Sequence, residues 1–230
     1  CGSNIGITNA LDTLELNFYC DTYGVDTISF GTSCAFAMEC WQNGLLDATR
    51  TGGLELTWGN GDAALELLHQ MARGEGFGLI FGKGIRRMKD HFEEQWNIDR
   101  AFMDDIGMEA KGLEYSEYVT KESLAMQGGY GLTNKGPQHD EAWLIFMDMV
   151  NNQIPTFEDK AEALHYFPMF RTWFGLMGLC KLPWNDVEPS DNAEQPEPHK
   201  VPGHLEGYYN FFAGVTGIEI DESKLIEQSE

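Results

Sequence analysis

Basic residues are scarce in this chain of 230 residues. Fifteen Lys and Arg stand against 37 Asp and Glu, which gives a formal net charge of -22. Such a charge repels phosphate backbones and anionic lipid headgroups. The sequence therefore predicts neither a nucleic-acid partner nor binding to a membrane surface.

Long apolar runs are also missing. No stretch reaches about 18 apolar residues, the length that a membrane-spanning helix requires. The opening CGSNIGITNALDTL has no basic segment followed by an apolar stretch, which an export signal would have. We therefore predict no membrane span and no export signal.

Cysteine pairs and common metal or nucleotide motifs are lacking as well. The five cysteines form no C-x-x-C pair in a chain large enough to fold without disulfides, which indicates a reducing cytoplasm. The histidines show no H-E-x-x-H or comparable spacing, so no zinc site is expected. The glycine-rich run ARGEGFGLIFGKGIRR fits neither common nucleotide-binding motif and is interpreted as a connector between helices.

Apolar residues at helical spacing are what the chain does have. Hydrophobic residues make up 42% of it and aromatic residues 12%, enough for a globular core. The spacing predicts helices over 11–19, 63–72, 142–150 and 164–176. Extended signals are short, at 54–57 and 218–220, and indicate either strands or loop edges. The fold class is therefore mainly α.

Capping chemistry predicts where three helices begin. Thr8 or Asn9 caps the first of them, and Asp62 caps the second. Thr156, followed three positions later by Asp159, gives the third a start that resembles a capping box.

The segment DTYGVDTIS combines a helix end with polar side chains. Asp21 closes a helix, Gly24 takes the left-handed C-terminal conformation, and Val25 packs back on the last turn. Taken alone, this pattern is typical of an ordinary helix C-cap. Asp26 directly after the Gly-Val pair adds a polar group that such a cap does not need, which leaves a ligand-binding interpretation open.

A related pattern recurs in FGLMGLCKLPW. Gly178 corresponds to Gly24, Leu179 to Val25, and Cys180 takes the place of Asp26. Two helix ends of one design are suited to flank a ligand that has two similar halves.

A third segment, GGYGLTNKGPQHDEAWLIFMDMV, is a glycine-rich loop that leads into an apolar helix. His139 falls at or just before the first turn of that helix, where the helix dipole disfavours the protonated imidazole. A neutral histidine can donate or accept a proton near neutral pH. The alternative is that His139 only caps the turn.

Taken in order, GSNIGI, YGVDTIS with AFAMEC, KGLEYSEY, the loop that ends in His139 and GLMGLCKLPW resemble the tungsten-containing aldehyde ferredoxin oxidoreductase family. The resemblance covers nearly the whole chain. It implies the family's helical domains 2 and 3, without its N-terminal β domain. We place one helical domain at 1–135, with the first pterin-binding segment, and a second at 136–230, with the histidine and Cys180.

The resemblance also implies cofactors. Tungsten or molybdenum is held by two pterins, beside a [4Fe-4S] cluster. The first pterin-binding segment is matched by Asp21, Gly24, Val25 and Asp26. The second is matched by Gly178 and Leu179, with Cys180 as a cluster ligand.

The second segment departs from the family pattern, because Gly175 replaces an expected Asp. His139 matches the family's active-site histidine. The segment that would carry the other three cluster cysteines is missing, so the chain is expected to be a fragment.

The implied activity is oxidation of an aldehyde to a carboxylic acid, with electrons passing through the cluster to ferredoxin or another electron-transfer subunit. The rest of the parent chain is an expected partner, and a homodimer is possible in this family. Two alternatives stay open: a catalytic subunit that reduces aryl-coenzyme A rings, and a non-catalytic electron-relay or structural subunit, which Gly175 motivates.

Overall fold

The computed structural model describes residues 1–118, 120–141, 143–178 and 202–229, which form two compact units. Unit 1 consists of Cys1–Glu117 with Lys135–Pro137, and unit 2 of Tyr118–Asn134 with Gln138–Glu230. Among the described residues almost all regular structure is helical, which confirms the predicted mainly α class. None of the described helices combines the length and apolar character needed to cross a membrane. The domain boundary at 135/136 stays a prediction.

Unit 1 contains most of the described helices. After a short 3-10 turn, Ser3–Ile5, its elements are α1 (Ala10–Tyr23), α2 (Thr27–Gln42), α3 (Gly61–Arg73), α4 (Gly78–Phe81), α5 (Ile85–Trp96), α6 (Arg100–Ile106), β1 (Glu109–Ala110) and β2 (Leu113–Glu114). The two strands pair antiparallel, with Glu109 opposite Glu114. Lys111 and Gly112 between them both have positive φ, as a tight hairpin turn requires.

Helix α2 is the centre of unit 1. Nine of its sixteen residues are buried, because most of its side chains are apolar or small and other elements surround it. Phe36 of α2 stacks on Phe92 of α5, and Phe30 of α2 meets Phe81 of α4 edge to face. Helix α4 can approach α3 closely because residue 78 is glycine: a Cβ there would lie 2.3 Å from the amide nitrogen of Met71. One continuous apolar core results.

Unit 2 is built differently. Its elements are α7 (Leu124–Leu132), a π-helix (Phe146–Val150), α8 (Phe157–Leu176), α9 (Pro202–Thr216) and α10 (Glu222–Ser229). Two separate small apolar clusters hold the described part of this unit. One lies around Trp173, Phe174 and Tyr208, the other around Leu144 and Met147.

The predicted helix starts are partly confirmed. Asn9 caps α1 through its side-chain oxygen, and Thr156 with Asp159 forms the predicted capping box of α8. The prediction for Asp62 is wrong, because Asn60 caps α3 and Asp62 lies in its first turn.

The predicted extended segments are loops, and the glycine-rich connector contains a short helix, α4. Residues 54–57 turn back on themselves, since the amide of Thr57 donates to the carbonyl of Glu55 at 2.8 Å. Thr51 Oγ1 also donates to the carbonyl of Leu54 at 2.7 Å. These local bonds take groups that a strand would use for pairing.

Candidate functional site

The first predicted cofactor segment lies between α1 and α2. Helix α1 ends in a Schellman motif: the amide of Gly24 donates to the carbonyl of Asp21, and that of Val25 to Cys20 at 2.8 Å. Gly24 has φ of 68°. A Cβ at this position would meet no atom of the described residues within 4 Å, so glycine is needed here for its backbone conformation, and this part of the chain leaves the backbone open to a ligand.

The two carboxylates of this segment have different environments. Asp26 caps α2, because its Oδ2 accepts the amide of Ser29 at 2.9 Å. Asp21 is exposed, and its Oδ2 accepts one long bond of 3.4 Å from Asn17 Nδ2. A carboxylate with free acceptor positions suits the amine of a pterin, so Asp21 fits its predicted role better than Asp26 does.

The cysteines of unit 1 belong to its core. Cys20, Cys34 and Cys40 are fully buried and unpaired. Burial raises the pKa of Cys20 to about 11 and those of Cys34 and Cys40 to about 12. These thiols therefore stay protonated near neutral pH in the absence of a bound metal ion. No group of three His, Cys, Asp or Glu residues within the described ranges is arranged to hold a metal ion.

The second predicted segment follows α8. Gly178 has φ of 69°, and its amide donates to the carbonyl of Gly175 at 3.1 Å. Gly24 and Gly178 thus have the same left-handed conformation just after a helix. Leu179 and Cys180 lie outside the described residues, so the predictions for them stay predictions.

Gly175 is exposed in the last turn of α8. A Cβ at this position would meet no atom of the described residues within 4 Å. Among the described residues there is therefore space for the first carbon of the Asp side chain that the family pattern leads us to expect.

His139 lies in a turn of unit 2, half-buried between two aromatic rings. Its ring centroid is 4.9 Å from that of Tyr118 and 5.5 Å from that of Trp143, and these two rings meet edge to face at 4.9 Å. Trp143 Nε1 is buried and has no hydrogen-bond partner among the described residues. The three rings carry nitrogen and hydroxyl groups that can form hydrogen bonds.

The predicted helix over 142–150 is much shorter than expected. Helical structure there is the π-helix Phe146–Val150, so His139 lies well ahead of its first turn. A helix dipole acts only within about one turn, and the predicted effect of the dipole on His139 is therefore wrong. In this turn Arg171 Nε donates to the carbonyl of Asp140 at 2.9 Å, which is the acceptor that an earlier helix start would give to Leu144.

Arg171 is a residue of this site that sequence reasoning missed. It is 2% exposed, and its guanidinium lies 4.8 Å from the ring of Phe174 and 5.7 Å from that of Phe167. Since it also bonds the residue after His139, it positions the turn that carries the histidine. A lone Arg among aromatic residues in HYFPMFRTWF was the available signal.

Unit 2 contains a second polar contact in addition to the hydrogen bond of Arg171. Asp148 of the π-helix pairs with Lys160 at 2.9 Å and accepts the hydroxyl of Ser123 at 2.9 Å. Burial acts to raise the pKa of Asp148, but the hydrogen bonds from Lys160 and Ser123 outweigh it and hold this pKa below its ordinary value. Asp148 therefore stays charged and ties the π-helix to α7 and α8.

Comparison with known proteins gives a consistent family. All 230 residues match the model described as aldehyde ferredoxin oxidoreductase, domains 2 and 3. The tungsten-containing aldehyde ferredoxin oxidoreductase of Pyrococcus abyssi is 31% identical over 190 residues, and that of Pyrococcus furiosus 26% over 185 residues. Each match covers 78% of this chain and 29% of the relative.

A relative with a different name also matches. The aliphatic sulfonate oxidoreductase, WOR-like subunit, of Pyrococcus furiosus is 31% identical over 135 residues, which is 56% of this chain and 22% of that protein. The chain thus spans less than a third of the length of these relatives.

Proposed function

The chain belongs to the aldehyde ferredoxin oxidoreductase family, of which it represents domains 2 and 3, and from this premise we propose that the complete protein oxidises aldehydes to carboxylic acids. The overall reaction takes an aldehyde and water to a carboxylic acid, two protons and two electrons. We further propose that the electrons pass through a [4Fe-4S] cluster to ferredoxin or another electron-transfer subunit.

The chain's own residues have separate roles in this proposal. Asp21 would accept hydrogen bonds from a pterin, and the open backbone at Gly24, and separately at Gly178, would leave room for one to approach. Cys180 is a cluster ligand. A tungsten or molybdenum bis-pterin, when bound, would supply the two-electron redox chemistry.

His139 would bind the aldehyde carbonyl or move a proton as water adds to it. Its place between Tyr118 and Trp143 limits the motion of the imidazole, and Arg171 fixes the adjacent backbone at Asp140. A proton-transfer group acts best when it is held in this way at a fixed position.

The observation that most supports the proposal is the pair of left-handed glycines. Gly24 and Gly178 lie in two segments of related sequence, each just after a long helix, with φ of 68° and 69°. Each of these exposed helix ends is suited by itself to the approach of a pterin.

The test uses the complete protein. Tungsten, iron and pterin are measured in the purified protein, and reduction of a viologen dye is followed after addition of an aldehyde without air. We expect metal, pterin and aldehyde-dependent reduction. A protein with its full pterin content but no such reduction would contradict the proposal.

The role of His139 is tested by replacement. His139→Asn should lower the rate of aldehyde oxidation by roughly 10²–10⁴-fold, the usual range for a group that transfers a proton. Tungsten and pterin contents should not change, since His139 is not proposed as a ligand. A loss of pterin together with activity would point to a structural role instead.

A second candidate follows from the sulfonate-named relative: oxidation of an aliphatic sulfonate by the same kind of centre. Assaying an aldehyde, an aliphatic sulfonate and an aryl-coenzyme A thioester on one preparation separates this candidate, the ring-reductase alternative and the leading proposal. A protein without pterin would favour the non-catalytic alternative.

A further inference from the structure

Helix α1 is attached to the core of unit 1 by few side chains. Of its fourteen residues, Leu16 and Cys20 are buried. Its last residue, Tyr23, is 41% exposed and lies directly before Gly24, where the first predicted cofactor segment turns. The position of this end of α1 therefore depends on contacts outside the apolar core as well.

Helix α3 supplies such contacts, because it is firmly packed and lies beside α1. Its residues that are buried in the core are Ala63, Ala64, Leu67 and Leu68. Near the start of both helices, a Cβ on Gly61 would lie 3.0 Å from Asp12 Oδ2. Eight positions further along α3, His69 contacts the end of α1. Helix α3 thus approaches α1 near both of its ends.

The contact at the end of α1 is made by three rings. The hydroxyl oxygen of Tyr23 and Nδ1 of His69 lie 2.9 Å apart and share a hydrogen bond. Tyr19 stacks on Tyr23 with ring centroids 5.6 Å apart, as side chains four positions apart on a helix can do. Tyr19 also meets His69 edge to face at 4.7 Å. The imidazole therefore contacts both aromatic side chains of the last turn.

These two tyrosines enclose the residues that form the Schellman motif. The carbonyls that accept the amides of Gly24 and Val25 belong to Asp21 and Cys20, which lie between Tyr19 and Tyr23. The exposed carboxylate of Asp21 is on the same turn. Holding Tyr19 and Tyr23 in place therefore limits the motion of the groups that the proposed cofactor would meet.

We propose that His69 is a positioning residue for the first cofactor segment. Through Tyr23 and Tyr19 it holds the last turn of α1, so that Asp21 and the backbone of Gly24 keep one orientation. The inference rests on the proposed function, since the ligand of this segment is the pterin proposed above. His69 acts through the tyrosines and is not proposed to contact the pterin.

Two replacements of His69 separate the hydrogen bond from ring packing. His69→Asn keeps an amide group at about the position of Nδ1 but removes the ring, whereas His69→Phe keeps a ring and removes the partner of the Tyr23 hydroxyl. Amide hydrogen exchange over residues 20–27 is measured in the complete protein. His69→Phe should speed this exchange roughly threefold to tenfold, because one hydrogen bond is lost. His69→Asn should stay within about twofold of the unmodified protein.

Replacement of the tyrosine tests the same bond from its other side. Tyr23→Phe should speed exchange as much as His69→Phe does, and the double variant should add little, since both changes remove one shared bond. The matched control is Tyr166→Phe, which removes a hydroxyl that donates to Glu222 at 2.8 Å in unit 2. It should leave exchange over residues 20–27 unchanged. Circular dichroism verifies that each variant is folded.

The link to the cofactor is tested by pterin retention in dilute denaturant. His69→Phe and Tyr23→Phe should lose pterin several times faster than the unmodified protein, and His69→Asn should not. The proposal is overturned if His69→Phe leaves exchange unchanged, if His69→Asn exchanges as fast as His69→Phe, or if all variants lose pterin at one rate. Unmodified protein without pterin would instead contradict the proposed function, and the exchange rates would still decide whether His69 holds the segment.

Discussion

The two units hold their functional segments in place by different kinds of contact. In unit 1, the segment from Asp21 to Asp26 is attached to one continuous apolar core that includes Phe36, Cys34 and Phe92. In unit 2, the described apolar residues form two smaller clusters, and the turn that carries His139 is fixed by the buried cation Arg171. We infer that apolar packing sets the stability of unit 1 and that polar anchors set the geometry of unit 2.

The largest effect is expected from breaking the core of unit 1. Phe92 is fully buried and stacks on Trp96 at 4.8 Å, so Phe92→Ala should lower the free energy of unfolding by about 3–5 kcal/mol. Maleimide labelling of Cys34 and Cys40 in increasing denaturant measures this loss, because both thiols are buried until unit 1 opens. Phe18→Ala, at a side chain that is 61% exposed, is the matched control and should change the value by less than about 0.5 kcal/mol. Equal effects of the two variants would argue against a continuous core.

The next effect concerns the polar anchor of unit 2. Arg171→Met keeps an apolar stem but removes the donor to the partly buried carbonyl of Asp140, and the loss of this hydrogen bond should cost about 1 kcal/mol. Hydrogen exchange should rise around residues 138–141 and stay unchanged in unit 1. Arg86→Met removes an exposed ion pair with Glu109 and is the control. If exchange in unit 2 is unchanged by Arg171→Met, the turn is held by something other than Arg171.

The ion pair of Asp148 makes the stability of unit 2 depend on pH. Since the folded pKa of Asp148 is below its ordinary value of 3.8, its contribution is present above that value and is lost as pH falls through the folded pKa. Asp148→Asn should therefore lower the thermal midpoint near neutral pH, and the gap from the unmodified protein should narrow below about pH 4. Asp62→Asn, at an exposed acid of α3, is the control and should produce no gap. A gap that does not vary with pH would contradict an electrostatic origin.

The smallest effects compare the two helix ends. Gly24→Ala should destabilise by about 1 kcal/mol, because its φ of 68° disfavours a residue with a side chain. Gly175→Ala should stabilise by about 0.5–1 kcal/mol, since this glycine is exposed within α8 and has open space around it. Thermal midpoints of the two variants should shift in opposite directions. Shifts of the same sign would contradict the expectation that glycine stabilises the left-handed position 24 and destabilises the helical position 175.

Local signals in the sequence predicted local structure well. The Schellman motif at Gly24, the capping box at Thr156 and the mainly α class depend on residues a few positions apart, so their physical causes are visible in the sequence. The failures have an equally physical cause. Asn60, not Asp62, caps α3, because its side chain accepts the amide of Ala63. Helical structure in 142–150 is the π-helix Phe146–Val150, and a carbonyl ahead of it accepts a hydrogen bond from α8.

The residues of the candidate site also fall into those that the local sequence indicated and those that it did not. Asp21, Gly24, Gly178 and His139 were all recognisable as candidates from short segments, whereas the cap formed by Asp26 and the ring contacts of His139 were not. Arg171 was not recognised from the sequence because its partner, Asp140, lies 31 positions away. An aromatic stretch on a helix predicts burial, but it does not tell which backbone group a cation within it will bond.

The sequence by itself determined the family resemblance, the helical class and the two glycine-terminated helix ends, because these depend on residue types at short, fixed spacing. Only the tertiary structure decided that Asp26 caps α2, that the histidine lies in a turn between Tyr118 and Trp143, and that Arg171 fixes this turn. The physical reason is burial: a polar group removed from water must find a partner, and packing of the whole unit selects which partner is within reach.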